Sequence, residues 1–80
     1  MKTVNILFLG PLRDITGTPG ETLSGLDSLP EILDHLRHKY PGINTVYFQV
    51  SLNRNLIPDS QYPVPADEDE IALLPPFAGG

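Results

Sequence analysis

The residues with the clearest chemical meaning close the sequence: Pro75-Pro76-Phe77-Ala78-Gly79-Gly80. Two terminal glycines arise by chance in roughly 0.5% of chains at a glycine usage of ~7%. Lacking Cβ, they give a terminal carboxyl the least steric shielding. With the diglycine expected to be the mature end, this suits a carboxylate that must enter another protein's active site. Pro75 and Pro76 each hold φ at about −65° and have no N–H to donate. The strand-like run Ile71-Ala72-Leu73-Leu74 must therefore stop there. From Pro75 to Gly80 the extended tail reaches ~20 Å, at ~3.3 Å per residue.

Other candidate chemistry is weaker. His35 and His38 are three apart in a helical stretch. Two ligands without a third make a poor metal site, so they read as a solvated helix face and no metal is expected. Asp67-Glu68-Asp69-Glu70 lacks the loop glycine and distal glutamate of a calcium loop, and reads as a polar turn. Asp14 and Glu21 have no paired-carboxylate context. There is no cysteine, which excludes disulfides, thiolate zinc sites and cysteine nucleophiles. Any sulfur chemistry must use sulfur brought from outside. No Ser/His/Asp order or phosphate-cradling glycine loop is present, so no independent active site is expected.

Eighty residues make one small domain, with an expected radius of gyration of ~12 Å. Apolar residues make up 40% and charged residues 19%, compatible with a globular fold. Ten acids against five Lys+Arg leave a net charge of −5. That disfavours nucleic acid and anionic membranes as partners and favours a basic protein surface. Met1 to Asn5 has no signal-peptide core, and no run approaches the ~18 apolar residues of a membrane span. A cytoplasmic location is the expectation.

The elements that must hold the tail follow from periodicity. In residues 2–9, Val4, Ile6 and Phe8 alternate onto one face and Leu7 and Leu9 onto the other, which predicts a strand ended by Gly10-Pro11. Leu12 to Thr16 has room for one helical turn before Gly17. Thr18-Pro19-Gly20 is a turn, and Glu21 to Gly25 a short return strand. Ser28 and Glu31 fit a capping box, with Pro30 in the first turn. Leu29, Ile32, Leu33, Leu36 and Tyr40 form a helical apolar stripe. Glu31 and Asp34 sit early and Arg37, His38 and Lys39 late, as the helix dipole prefers. Pro41-Gly42 stops the helix. Phe48 to Leu52 reads as a strand, Asn53-Arg54-Asn55 as a tight turn, and Leu56-Ile57 as its return. A last strand runs from Glu70 to Leu74. The order ββαβββ predicts an α+β roll, a mixed sheet of about five strands covered by one main helix. The first and last strands, being the most apolar, are expected to be central, parallel neighbours. Residues 1–74 form the domain and 75–80 the tail.

This order and the ending Leu74-Pro75-Pro76-Phe77-Ala78-Gly79-Gly80 resemble the MoaD/ThiS family of sulfur carriers, most of all its MoaD branch, the molybdopterin synthase small subunits. Leu12-Arg13-Asp14 with Gly17 resembles the family's Leu-Arg-acid segment. Val50-Ser51-Leu52-Asn53 resembles its Val-x-Val-Asn strand end. Asp67 to Ile71 resembles its Asp-Gly-Asp-Glu-Val turn, with Glu68 where glycine is usual. The resemblance implies a β-grasp, ubiquitin-like fold. It further implies that Gly80 is adenylated by an E1-like (MoeB-like) adenylyltransferase, converted to a thiocarboxylate by a sulfur donor, and threaded into a MoaE-like large subunit holding precursor Z. ATP is used by the activating enzyme, and no cofactor is expected on this chain. Gly80 carries the sulfur, Gly79 keeps the tip slim, Pro75 and Pro76 aim the tail, and Phe77 anchors it, with Ala78 between. Arg13, paired with an acid of the activating enzyme, and Leu74 meet partners. Gly-Gly ends are shared by ubiquitin-like protein modifiers and by sulfur carriers for thiamin, cysteine or tRNA thiolation. These remain the alternatives, and the double proline favours the MoaD branch.

Overall fold

The computed structural model describes residues 2–58 and 62–76. β1 (Thr3–Phe8) leads into a short α1 (Pro11–Thr16), and β2 (Gly20–Ser24) returns. α2 (Leu29–Lys39) follows, then a 3-10 turn (Pro41–Thr45), β3 (Gln49–Leu52), β4 (Asn55–Ile57) and β5 (Glu70–Leu74). The five strands form one mixed sheet in the order β2-β1-β5-β3-β4. β1 and β5 are parallel central neighbours, with Ile6 opposite Ile71 and Phe8 opposite Leu73. This is the expected α+β roll, its strand boundaries within a residue or two of those read from the alternation. The radius of gyration is 11.7 Å, close to the size expected for the chain length.

α2 begins because Ser28 is extended and its hydroxyl accepts the Glu31 N–H at 3.3 Å. Its stripe Leu29, Ile32, Leu33 and Leu36 is buried against Val4, Ile6, Phe8, Ile71 and Leu73 of the central strands. The fifth stripe residue, Tyr40, is half-buried and meets Phe8 edge-on, ring centroids 5.5 Å apart. The chain does not simply stop at Pro41-Gly42. It tightens into the 3-10 turn, which drives Ile43 fully into the core.

Polar anchors close the ends of the sheet. At the start of β5, Asp67 Oδ1 accepts the Thr3 N–H at 2.8 Å, and Asp69 Oδ2 accepts the Ala66 N–H at 2.8 Å. Accepting that Ala66 bond is the largest factor holding the Asp69 carboxyl below its usual pKa. Asn53 and Arg54 form the β3–β4 turn, both with positive φ, the mirror-image geometry that matches strand twist. The Asn53 side chain accepts the Glu70 N–H at 2.9 Å, tying this turn to β5. That bond gives the Val-x-x-Asn segment a structural purpose.

Candidate functional site at the root of the tail

β5 runs without interruption into Pro75 and Pro76, so the sheet's central strand is what positions the tail. Leu73 is buried with its carbonyl accepting the Leu9 N–H at 3.0 Å. Leu74 pairs with Gln49 across the β3 edge. Pro75 and Pro76 are both half-buried. The Pro75 ring lies on Gly10, the residue that joins β1 to α1: a Cβ built on Gly10 would stand 2.9 Å from Pro75 Cγ. Phe77, Ala78, Gly79 and Gly80, including the sulfur-bearing candidate, lie outside the described residues.

Arg13 sits on α1 at this same end of the molecule, its N–H donating to the Gly10 carbonyl at 3.1 Å. Its side chain is exposed and makes no ion pair among the described residues. The structure thus brings Arg13, Gly10, Leu74 and the two prolines to one end.

The helix covers one sheet face. The other carries an open groove of ≈340 Å³ lined by Leu7, Leu9, Leu56, Ala72 and Leu74, with Arg54 and Glu70 at its rim. Leu56 is 60% exposed, unusual for a leucine in a sheet. Sequence reasoning placed Leu7 and Leu9 on the face opposite the core but did not assemble the groove. Its residues come from β1, β3–β4 and β5 and meet only through strand register.

A second polar feature braces the tail's end of the sheet from the helix side. Tyr40 Oη donates to one Glu21 carboxylate oxygen, and Lys39 Nζ lies 3.0 Å from the other. Burial raises the Glu21 carboxyl, but the hydrogen bonds from Tyr40 and Lys39 outweigh it and hold the group below its usual pKa. The same bond to Glu21 raises the Tyr40 phenol. Among the described residues no group of three or more His, Asp or Glu side chains is placed to hold a metal ion. The His38 ring is instead hydrogen-bonded to the Asp34 carbonyl at 2.8 Å.

A mixed five-stranded sheet with parallel central strands under one main helix is a β-grasp, ubiquitin-like body, and its central strand runs directly into a Pro-Pro pair. The chain belongs to the ThiS family, whose profile matches residues 6–80. It is 34% identical to the molybdopterin synthase sulfur carrier subunit of Mycobacterium tuberculosis, over 100% of both chains. It is 33% identical to the protein of that name in Arabidopsis thaliana, over 96% of this chain and 82% of the plant protein. Among solved structures it resembles the small archaeal modifier protein 1 of Methanosarcina acetivorans, with a TM-score of 0.81, 30% identity and coverage of 100% and 98% of the two chains. It also resembles a chain of the complex of subunits 1 and 2 of the molybdopterin-converting factor of Helicobacter pylori, with a TM-score of 0.72, 29% identity and coverage of 98% and 99%. Among the described residues, no helix is long and apolar enough to cross a membrane.

Proposed function

We propose that this chain is the sulfur-carrier small subunit of a molybdopterin synthase, with Gly80 as the group that carries sulfur. The observation that carries this reading is a family match running through the tail to residue 80, on a chain whose full-length relatives bear that name. The Pro-Pro exit seated on the body supports it.

The chemistry follows from the carboxyl group. A terminal carboxylate has a pKa of about 3.5, is ionised at neutral pH and is a poor electrophile. On an E1-like enzyme its oxygen attacks the α-phosphorus of ATP, pyrophosphate leaves, and a Gly80 acyl-adenylate forms. A persulfide donor attacks the acyl carbon and expels AMP. A second thiol then cleaves the sulfur–sulfur bond, becoming oxidised to a disulfide and leaving the thiocarboxylate. In the large subunit that sulfur bonds to an oxygen-bearing side-chain carbon of precursor Z, the C–O bond there breaks with its oxygen leaving protonated, and the resulting thioester is hydrolysed by water. The carboxylate returns and the sulfur stays on the pterin. Two such transfers supply the dithiolene.

In this scheme Gly79 keeps the tip slim, Phe77 and Ala78 fill the partner's channel, and Pro75 and Pro76 set its direction. Leu74 belongs to the apolar groove, which is continuous with the tail root and takes the large subunit. Arg13, exposed at the same end, pairs with an acid of the activating enzyme. A role as a ubiquitin-like modifier joined through Gly80 to lysines is the second reading, favoured by the likeness to an archaeal modifier. Co-expression with the cognate large subunit tests the first. A stable complex that converts precursor Z to molybdopterin, given loaded carrier, is the expected outcome. Gly80-linked lysine adducts in cells, with no such complex, would establish the modifier instead.

A further inference from the structure

Gly10 has a backbone that side-chain-bearing residues avoid, φ 58° and ψ −134°. It is held there from both sides. The Leu9 N–H donates to the Leu73 carbonyl at 3.0 Å, and the Gly10 carbonyl accepts from the Arg13 N–H at 3.1 Å. α1, which contains Arg13, is itself pinned by the buried Leu12. Gly10 is therefore a fixed floor, and the Pro75 ring rests on it. A Cβ there would meet Pro75 Cγ at 2.9 Å and Cδ at 3.5 Å, whereas carbon atoms in contact sit at about 3.5–4.0 Å.

The ring cannot answer as a flexible side chain would. It is closed through its own backbone nitrogen, so Cγ shifts only within the small range of ring pucker. A larger retreat means moving the Pro75 backbone, the first residue of the tail. The displacement is not absorbed immediately either. φ is locked at both Pro75 and Pro76, and Pro75, preceding a proline, is restricted in ψ as well. A change of direction at Pro75 is passed on beyond Pro76, toward a reactive group up to ~13 Å further along the chain.

We propose that Gly10 is a positioning residue for sulfur transfer: its bare Cα seats the Pro75 ring and so sets the angle at which the loaded tail leaves the domain. This rests on the sulfur-carrier reading. When the body docks on the large subunit and the tail enters its channel, that angle decides whether the thiocarboxylate meets the pterin carbon. A misplacement of about 1 Å at a reacting centre can cost about 100-fold in rate.

The test compares wild type, Gly10→Ala, Pro75→Ala and the double variant. Each is loaded with the activating enzyme, ATP and sulfur donor, and the loaded fraction is quantified by intact mass. Single-turnover transfer to precursor Z is then followed at saturating large subunit, with Tm measured alongside. Gly10→Ala is expected to slow transfer from the loaded carrier by about tenfold or more. In the Pro75→Ala background, where no Cγ remains to be struck, the further effect of Gly10→Ala should fall to less than about twofold. Alanine at this φ is strained in both backgrounds, so a Tm loss from Gly10→Ala should persist in the Pro75→Ala background, smaller only by the steric part of the cost. That separates positioning from a structural role. Pro75→Ala alone removes the contact while leaving Gly10 in place, and is expected to slow transfer with Tm unchanged. It keeps the proposal testable if Gly10→Ala does not fold. Wild-type rates in either single variant, or equal slowing by Gly10→Ala in both backgrounds, would overturn the proposal and leave the carrier reading standing. A wild-type chain that never loads or never transfers would instead overturn the carrier reading, and this proposal with it.

Discussion

At the residue scale, one position departs from both its family's usual residue and its own backbone preference. Glu68 sits at φ 67° in the turn before β5, where glycine is usual in the family it resembles. Its N–H donates to the Thr3 carbonyl at 2.6 Å, so the turn must adopt this conformation to close the sheet. A side chain in the left-handed region costs about 1–2 kcal/mol, partly offset by the larger unfolded-state entropy of glycine. Glu68→Gly should therefore stabilise the domain by about 1 kcal/mol. Urea titration would show this as a raised midpoint at constant slope, and a lowered midpoint would mean that the Glu68 side chain contributes something this geometry does not. The position was legible in the sequence as a departure from the Asp-Gly-Asp pattern. Gly10 was legible only as a strand end, because its partner Pro75 is 65 positions away and nothing local announces the contact.

At the element scale, α2 carries most of the core that the sheet cannot supply for itself. Leu36 is fully buried, on the same stripe as Ile32 and Tyr40. Leu36→Ala should cost about 2–5 kcal/mol, a large share of the stability of so small a domain. A loss below about 0.5 kcal/mol by denaturant titration would contradict the burial described here. The same helix end holds the Glu21–Lys39–Tyr40 brace, whose protonation sets a pH dependence. The folded pKa of Glu21 lies below its unfolded value. Its contribution is thus present above the unfolded carboxylate range and lost as pH falls through the folded pKa. Tyr40 and Lys39 are raised, so their contribution holds below their unfolded values and is lost as pH rises through the folded ones. Tm should fall on both the acid and the alkaline limb, and Glu21→Gln should flatten both relative to wild type. An unchanged acid limb in Glu21→Gln would assign that limb to other carboxylates, Asp69 first.

Periodicity read α2 and the parallel pairing of β1 with β5 well, because each is encoded in a continuous apolar pattern. The 3-10 turn was missed because Pro41-Gly42 signals only where a helix ends, and Ile43 is a single apolar residue without a period. The brace was missed for another reason. Glu21 meets Lys39 and Tyr40 only once β2 has paired with β1 and α2 has packed across the sheet.

At the scale of the whole molecule, Asp67, Glu68, Asp69 and Glu70 crowd the start of β5, while the tail leaves from its other end. Toward that end lie Arg13 on α1, Lys39 between Glu21 and the Tyr40 ring, and Arg37 stacked 5.0 Å over the Phe48 ring. The apolar groove opens on the uncovered sheet face and reaches the tail root through Leu74. Composition predicted an acidic globular chain. It could not predict this arrangement, which depends on which strand ends lie together.

The central claim, that Gly80 is a sulfur-bearing terminus, is tested most directly by intact-mass spectrometry. The full chain is incubated with its E1-like enzyme, ATP and a sulfur donor. A gain of about 16 Da is predicted, one oxygen exchanged for sulfur in a carboxyl group that is ionised at neutral pH. The gain should require ATP and should vanish when Gly80 is deleted, while Tm stays the same. A chain that forms lysine isopeptides and never gains the mass of a thiocarboxylate would contradict the account.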